Sequence, residues 1–217
     1  MPLPRSIRSH IPASLKDSRP LRAVALASGL IPPRPMHTAA EADALRAAAL
    51  RASCVVELGV YEGSSAVVLC DALGPEAQLH LVDPFMDESG WAMRTGWQGT
   101  PFATRRAVAR HARGGPAIHW HVARSQDVGR AWTGPPVDLV FIDGDHSPEG
   151  CGEDWDVWHP HVAPGGRVAF HDARLKRPGG EGSSPGPTSV VEGLRERPPA
   201  GFEITNEVDS LVVFTRS

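Results

Sequence analysis

The sequence predicts an α/β protein organised on a doubly wound parallel sheet with an antiparallel hairpin at its C-terminal edge. Three observations carry this. Apolar runs of strand length alternate with helix-length segments from residue 54 onward. Residues 54–65, Cys-Val-Val-Glu-Leu-Gly-Val-Tyr-Glu-Gly-Ser-Ser, read as a buried strand, a tight turn and a helix start. Asp83 closes the next apolar run, the position from which an acid reaches a ribose diol in such sheets. Together they describe a Rossmann-like, nucleotide-binding architecture.

Taken in order, residues 1–36 form a proline-rich, basic N-terminal arm. Arg5, Arg8, Lys16, Arg19, Arg22 and Arg34 are opposed there only by Asp17. Such a segment is a solvated arm, a lid over the site, or a strap onto a second subunit that would make a homo-oligomer. Residues 37–217 are then the folded domain. Thr38 and Glu41 make a capping box for a helix through residue 51. Strand 54–58, helix 64–72 and strand 78–83 follow. Residues 84–100 read as a long loop carrying Trp91 and Trp97, of a length that is usually functional. A helix over 101–112, a strand over 118–122 and a short helix from 125 come next. Strand 137–142, helix 149–162 and strand 167–170 complete the parallel part, with Pro164-Gly165-Gly166 as the stop between the last two. Residues 174–187 are loop, 189–197 a short helix, and 202–206 with 211–215 a terminal hairpin.

Composition narrows the function. The net charge of −3 offers no electrostatic basis for nucleic acid as a partner. No apolar run is long enough to span a membrane, and the N-terminus lacks an uninterrupted apolar stretch of the signal-peptide kind. Cys54, Cys70 and Cys151 include no C-x-x-C pair and read as buried thiols, which suits a reducing cytoplasm.

In a doubly wound sheet ligands bind beyond the carboxyl ends of the strands. The first strand offers Glu57, Gly59, Val60, Tyr61, Gly63, Ser64 and Ser65; the second offers Asp83 and Pro84. Gly59 and Gly63, lacking Cβ, would let the backbone approach a ligand closely. Ser125 and Gln126, past the third strand, are placed to meet an adenine ring. Asp143 and His146 follow the fourth strand, and His171-Asp172 the fifth. Asp143, His171 and Asp172 converge at one pole, where carboxylates with an imidazole suit Mg²⁺ or another divalent cation. The alternative is that Asp143 binds cofactor and Asp172 only ends a strand. His146 is placed as a base, since an imidazole near neutral pH takes a hydroxyl proton. His119 and His121 share a strand face and read as packing or surface.

The spacing Glu57-x-Gly59-x-x-x-Gly63 resembles motif I of the class I S-adenosylmethionine-dependent methyltransferases. Residues 141–150 (Phe-Ile-Asp-Gly-Asp-His-Ser-Pro-Glu-Gly), then Asp154, Trp158, Pro164-Gly165-Gly166 and Phe170-His171-Asp172, resemble one bacterial branch of them. That branch, methyltransferase family 24, holds macrolide-sugar and other natural-product O-methyltransferases and cephalosporin-hydroxylase-like proteins. The resemblance implies that Glu57, Gly59 and Gly63 line the methionine part of S-adenosylmethionine and that Asp83 meets its ribose. It also implies a metal on Asp143 and the pair His171-Asp172, with His146 as base. Metal-dependent members carry Glu or Asp where this chain has His171, so His171 would coordinate as neutral imidazole or leave the site without metal.

The expected activity is O-methylation of a small hydroxylated molecule, a natural product or sugar, assisted by the metal and by His146. A metal-independent methyltransferase is the nearest alternative. A nicotinamide oxidoreductase would want G-x-G-x-x-G, which is absent. A non-catalytic S-adenosylmethionine-binding protein would keep motif I without turnover.

Overall fold

The computed structural model describes residues 18–85, 99–174 and 185–217. Residues 1–17 of the expected arm, Trp91, Trp97 and most of the two expected loops lie outside the described residues.

Seven strands form one sheet in the order β3-β2-β1-β4-β5-β7-β6. They are β1 (Cys54–Leu58), β2 (Gln78–Val82), β3 (Ala117–His121), β4 (Val137–Ile142), β5 (Val162–Phe170), β6 (Phe202–Val208) and β7 (Leu211–Arg216). β1 to β5 run parallel, while β7 pairs antiparallel with both β5 and β6. The expected parallel sheet with an antiparallel edge hairpin is therefore present. The order reverses between β1 and β4, which opens a crevice beyond their carboxyl ends.

Both sheet faces are covered, so the central strands are apolar on both sides. Val55, Leu79, Leu139 and Phe141 pack under α2 (Ala39–Ala49) and α3 (Ser64–Ala72). Cys54, Val56, Leu58, Val140 and Ile142 pack on the other face with Trp155 and Trp158. The period-two alternation of a strand assigns these sets. It also puts Glu57 on the α3 face, wholly buried. All three cysteines are free and buried. The Thr38–Glu41 capping box is formed as expected.

Four expectations need correction. The second half of the expected arm is structured: α1 (Arg19–Ala27) buries Ala23 and Leu26 against Ala103 and Ala107 of α4 (Gly99–His111). Arg22 pairs with Glu62 in the loop after β1, and Arg110 donates to the carbonyls of Leu26 and Ala27. The helix expected to reach residue 162 is α6 (Pro148–Trp158) followed by a 3₁₀ turn (His159–His161). Pro160 supplies no N–H to continue the α-helical ladder. Pro164-Gly165-Gly166 lies inside β5 rather than before it, at a register irregularity opposite β4, with Gly165 at φ +75°. Finally α7 (Pro185–Glu196) starts earlier than the expected 189–197 helix, and its Gly186 packs closely on the His146 backbone.

Candidate active site

The crevice beyond β1 and β4 is a pocket. Its floor is Gly59, Val60, Ser64 and Ser65; Asp143 and Gly144 form one wall, and Arg34, Met36, His37 and Tyr61 the other. The two motif glycines are there for a reason the sequence did not show. Gly59 has φ +86°, and a Cβ on it would stand 2.2 Å from the Asp143 carbonyl oxygen. Gly63 has φ +85°, and its Cβ would press on Val108 and Thr104 of α4. Both are required by the chain's own packing and by left-handed backbone, rather than by a ligand's approach alone.

The N-terminus of α3 opens into this pocket without a side-chain cap on its Gly63 N-cap. Its N–H groups suit a carboxylate. His37 adds a polar contact there, its Nε2 lying 2.9 Å from Ser64 Oγ. The Ser65 hydroxyl donates to Glu57, whose second oxygen is buried without a partner. Burial pushes the Glu57 carboxyl well above its ordinary value, against that hydrogen bond.

Asp83 is where the sequence reading put it, but it already does a structural job. Its Oδ2 accepts from the Val60 and Tyr61 N–H groups, each at 2.8 Å, and its Oδ1 from Phe85 at 2.5 Å. It therefore ties the glycine turn to the end of β2, with Pro84 half-buried beside it. We expect Asp83→Ala to weaken S-adenosylhomocysteine binding by about 10- to 100-fold, the effect of a lost hydrogen bond to a charged group. Calorimetry checks this, and unchanged affinity removes Asp83 from the ribose site.

Ser125 and Gln126 sit at the carboxyl end of β3, opening α5 (Ser125–Arg130). Their side chains are not simply open to a base, as the sequence reading had them. The Ser125 hydroxyl and the Gln126 amide nitrogen both donate to Asp154 of α6.

At the pole beyond β4 and β5 the structure brings together Asp143, His146, His171 and Asp172, and adds Glu41. His171 Nδ1 lies 3.0 Å from Asp143 Oδ1 and 3.6 Å from Asp172 Oδ2, and Nε2 lies 3.5 Å from Glu41 Oε2. The imidazole is 3% exposed. Burial disfavours its charge, but the bonds to Asp143 and Glu41 outweigh it and push its pKa up to about 10. These carboxylates favour the imidazolium form of His171. Glu41, 1% exposed, also accepts from the Ser210 N–H and hydroxyl and the Thr38 N–H. Burial would raise its carboxyl, yet these donors and His171 hold it well below the usual range. Sequence reasoning saw Glu41 only as half of a capping box; a carboxylate on the buried side of an alanine-rich helix was the available signal.

The divalent cation implied by the resemblance has only weak support in this group. Asp143, His146 and Asp172 offer ligand atoms within 4.8 Å of one another, so spacing alone would allow an ion. The expected ligand His171, however, is not in that set: its Nδ1 faces Asp143 and Asp172, and its Nε2 lies 3.5 Å from Glu41 without a hydrogen-bond partner among the described residues. A proton on Nδ1 would face Asp143 and Asp172 and oppose a cation bound between them.

His146 stands at the rim of the same pole. Its side chain is 39% exposed, and Nε2 faces Asp143 Oδ1 at 3.6 Å. The interaction with Asp143 raises its pKa above the ordinary imidazole value, against its partial burial. Burial would raise Asp143 in turn, but His146 and His171 bring its carboxyl below the usual range. The other expected histidine pair is packing: His80 lies between His119 and His121, with ring centroids 4.5 and 5.4 Å away.

A model of the methyltransferase domain matches residues 56–173, more than half of the chain, including Asp143, His146, His171 and Asp172. The chain belongs to the methyltransferase-domain family. The family's class I S-adenosylmethionine-dependent fold accounts for the pocket at the α3 N-terminus, and it removes the nicotinamide reading. No curated protein matches the sequence. Among solved structures, the chain is similar to the O-methyltransferase TomG of Streptomyces achromogenes, which is involved in tomaymycin synthesis and was solved with S-adenosylmethionine. The two are 20% identical over 98% of this chain and 94% of that one, at a TM-score of 0.60. Cofactor-bound Rv0187 from MTB is 18% identical over 100% and 98%, at 0.62. The O-methyltransferase of Bacillus cereus, solved with S-adenosylhomocysteine, is 15% identical over 97% and 94%, at 0.59. At these identities the likeness is one of fold. Among the described residues, no helix of the methyltransferase is long and apolar enough to cross a membrane.

Proposed function

We propose that this methyltransferase transfers the S-adenosylmethionine methyl group to a hydroxyl oxygen of a small molecule, with His146 as the base and no divalent metal. The carrying observation is the rim position of His146 beside Asp143, itself a wall of the cofactor pocket. The acceptor oxygen attacks the sulfonium methyl in line, the C–S bond breaks, and neutral S-adenosylhomocysteine leaves. His146 takes the hydroxyl proton, and Asp143 stabilises the resulting imidazolium. Alignment of the two reactants supplies much of the barrier reduction. The His171 imidazolium compensates the charge of Asp143, Asp172 and Glu41, the place a metal would take in metal-dependent relatives. The similarity to an O-methyltransferase of natural-product synthesis supports screening sugars and catechol-like diols first.

Two measurements test this. Methyl transfer to hydroxylated acceptors is expected to persist in excess EDTA, with product carbon NMR placing the new methyl on oxygen; a nitrogen or carbon product rejects the activity. Mn²⁺ titration of the S-adenosylhomocysteine-loaded enzyme, followed by electron paramagnetic resonance, is expected to show no saturable site. Saturable binding that Asp143→Ala abolishes would restore the metal.

A further inference from the structure

Asp154 has no part in the chemistry above, yet it is a fully buried acid within the site's framework. It lies on α6 with 0% exposure. Its Oδ1 accepts from the Ser125 hydroxyl and, at 2.9 Å, from Gln126 Nε2. Its Oδ2 is buried without a partner and packs beneath Gly144, a wall of the cofactor pocket. Gln126 Nε2 also points at the Gly150 carbonyl, 3.4 Å away. Two oxygens facing one end of the amide fix that end as the nitrogen. The Gln126 carbonyl oxygen is then turned the other way, and among the described residues no group donates to it. The Trp158 indole N–H donates to the Ser125 carbonyl at 3.2 Å and pins the backbone of the same corner.

We propose that Asp154 is a positioning residue that sets the polarity of the adenine subsite, holding Ser125 Oγ and Gln126 Oε1 as hydrogen-bond acceptors so that a 6-amino purine is chosen over a 6-oxo purine. The proposal rests on the reading that the base lies beyond β3. With its proton drawn to Asp154, the Ser125 hydroxyl turns only lone pairs outward. Gln126, with its N–H groups directed at Asp154 and Gly150, presents a carbonyl. Two acceptors match the exocyclic amine of adenine. They oppose the carbonyl of a 6-oxo base, and a site built around one hydrogen-bond polarity rejects the wrong partner strongly. The Asp154 pKa, raised by burial to about 7 against the Ser125 hydrogen bond, is compatible with this, since Oδ1 accepts whether or not Oδ2 carries a proton.

The test compares S-adenosylhomocysteine with S-inosylhomocysteine by calorimetry. The wild type is expected to bind the adenine ligand about 100-fold more tightly. Asp154→Asn, whose carbonyl can still accept both bonds, is expected to keep most of that ratio. Asp154→Ala releases both side chains and should bring the ratio close to one, with circular dichroism showing the fold retained. Full discrimination by Asp154→Ala overturns the proposal, as does a wild type indifferent to the 6-position. Gln126→Leu separates the two readings. If it leaves S-adenosylhomocysteine affinity unchanged, the base is not beyond β3 and both fail. If affinity falls while Asp154→Ala still discriminates, only the role of Asp154 fails. Should Asp154→Ala not fold, hydrogen exchange of the Gln126 side-chain amide in the wild type decides: protection supports the clamp, and exchange at the rate of a surface amide rejects it.

Discussion

His146→Ala is expected to lower kcat by about 10²- to 10⁴-fold, the usual contribution of a positioned base, while leaving S-adenosylhomocysteine affinity unchanged. The separation follows from placement. His146 stands at the rim and faces Asp143, whereas the proposed cofactor site is the pocket at the α3 N-terminus and the Asp83 turn. Equal losses in turnover and affinity would make His146 a binding residue. The pH profile gives an independent check. The base must be unprotonated to act, and Asp143 raises the His146 pKa. The acid limb of kcat should therefore fall at higher pH than an ordinary imidazole would place it. Asp143→Asn removes the charge that raises it and should move that limb toward lower pH. The limb should vanish in His146→Ala, measured on its residual rate.

His171→Leu is expected to cost about 3–5 kcal/mol of stability, because removing one partner of a buried ion pair leaves buried charge uncompensated. Here two acids would be stranded, Glu41 and Asp143. Urea unfolding at neutral pH measures it; a loss under about 1 kcal/mol, the size of an exposed pair, would show that His171 is not charged in the fold. Linkage gives the sign with pH. The folded-state pKa of about 10 lies above the ordinary imidazole value of 6.5. The stabilisation is fully present below about 6.5 and is lost as pH rises through about 10, where folded and unfolded states hold equal protons on this group. Wild-type stability should therefore decline across that window, and His171→Gln should remove that part of the slope.

Much of the fold was legible because burial on both faces of a parallel sheet writes apolar runs directly into the chain. β1 and α3 fall at the expected residues, and Thr38 with Glu41 marked the start of α2. The misses have local causes. Pro160 stopped α6 early, and Pro164-Gly165-Gly166 proved to be an irregularity within a strand, because a glycine of positive φ serves a bulge as well as a turn. The basic, proline-rich composition of residues 1–36 as a whole hid a helix over 19–27, whose Ala23 and Leu26 meet small alanines of α4.

By itself the sequence determined which residues stand at the carboxyl ends of the strands: Glu57, Asp83, Asp143, His146, His171 and Asp172. Strand order and side-chain period are local properties, and they suffice for that. Only the tertiary structure decided what those residues do to one another. Whether His171 is a ligand or a cation depends on Glu41, which arrives from a helix far away in sequence; whether Gln126 donates or accepts depends on Asp154 across the α5–α6 contact. Charge and hydrogen-bond polarity are set by neighbours within a few ångströms, and in a doubly wound sheet those neighbours come from distant parts of the chain.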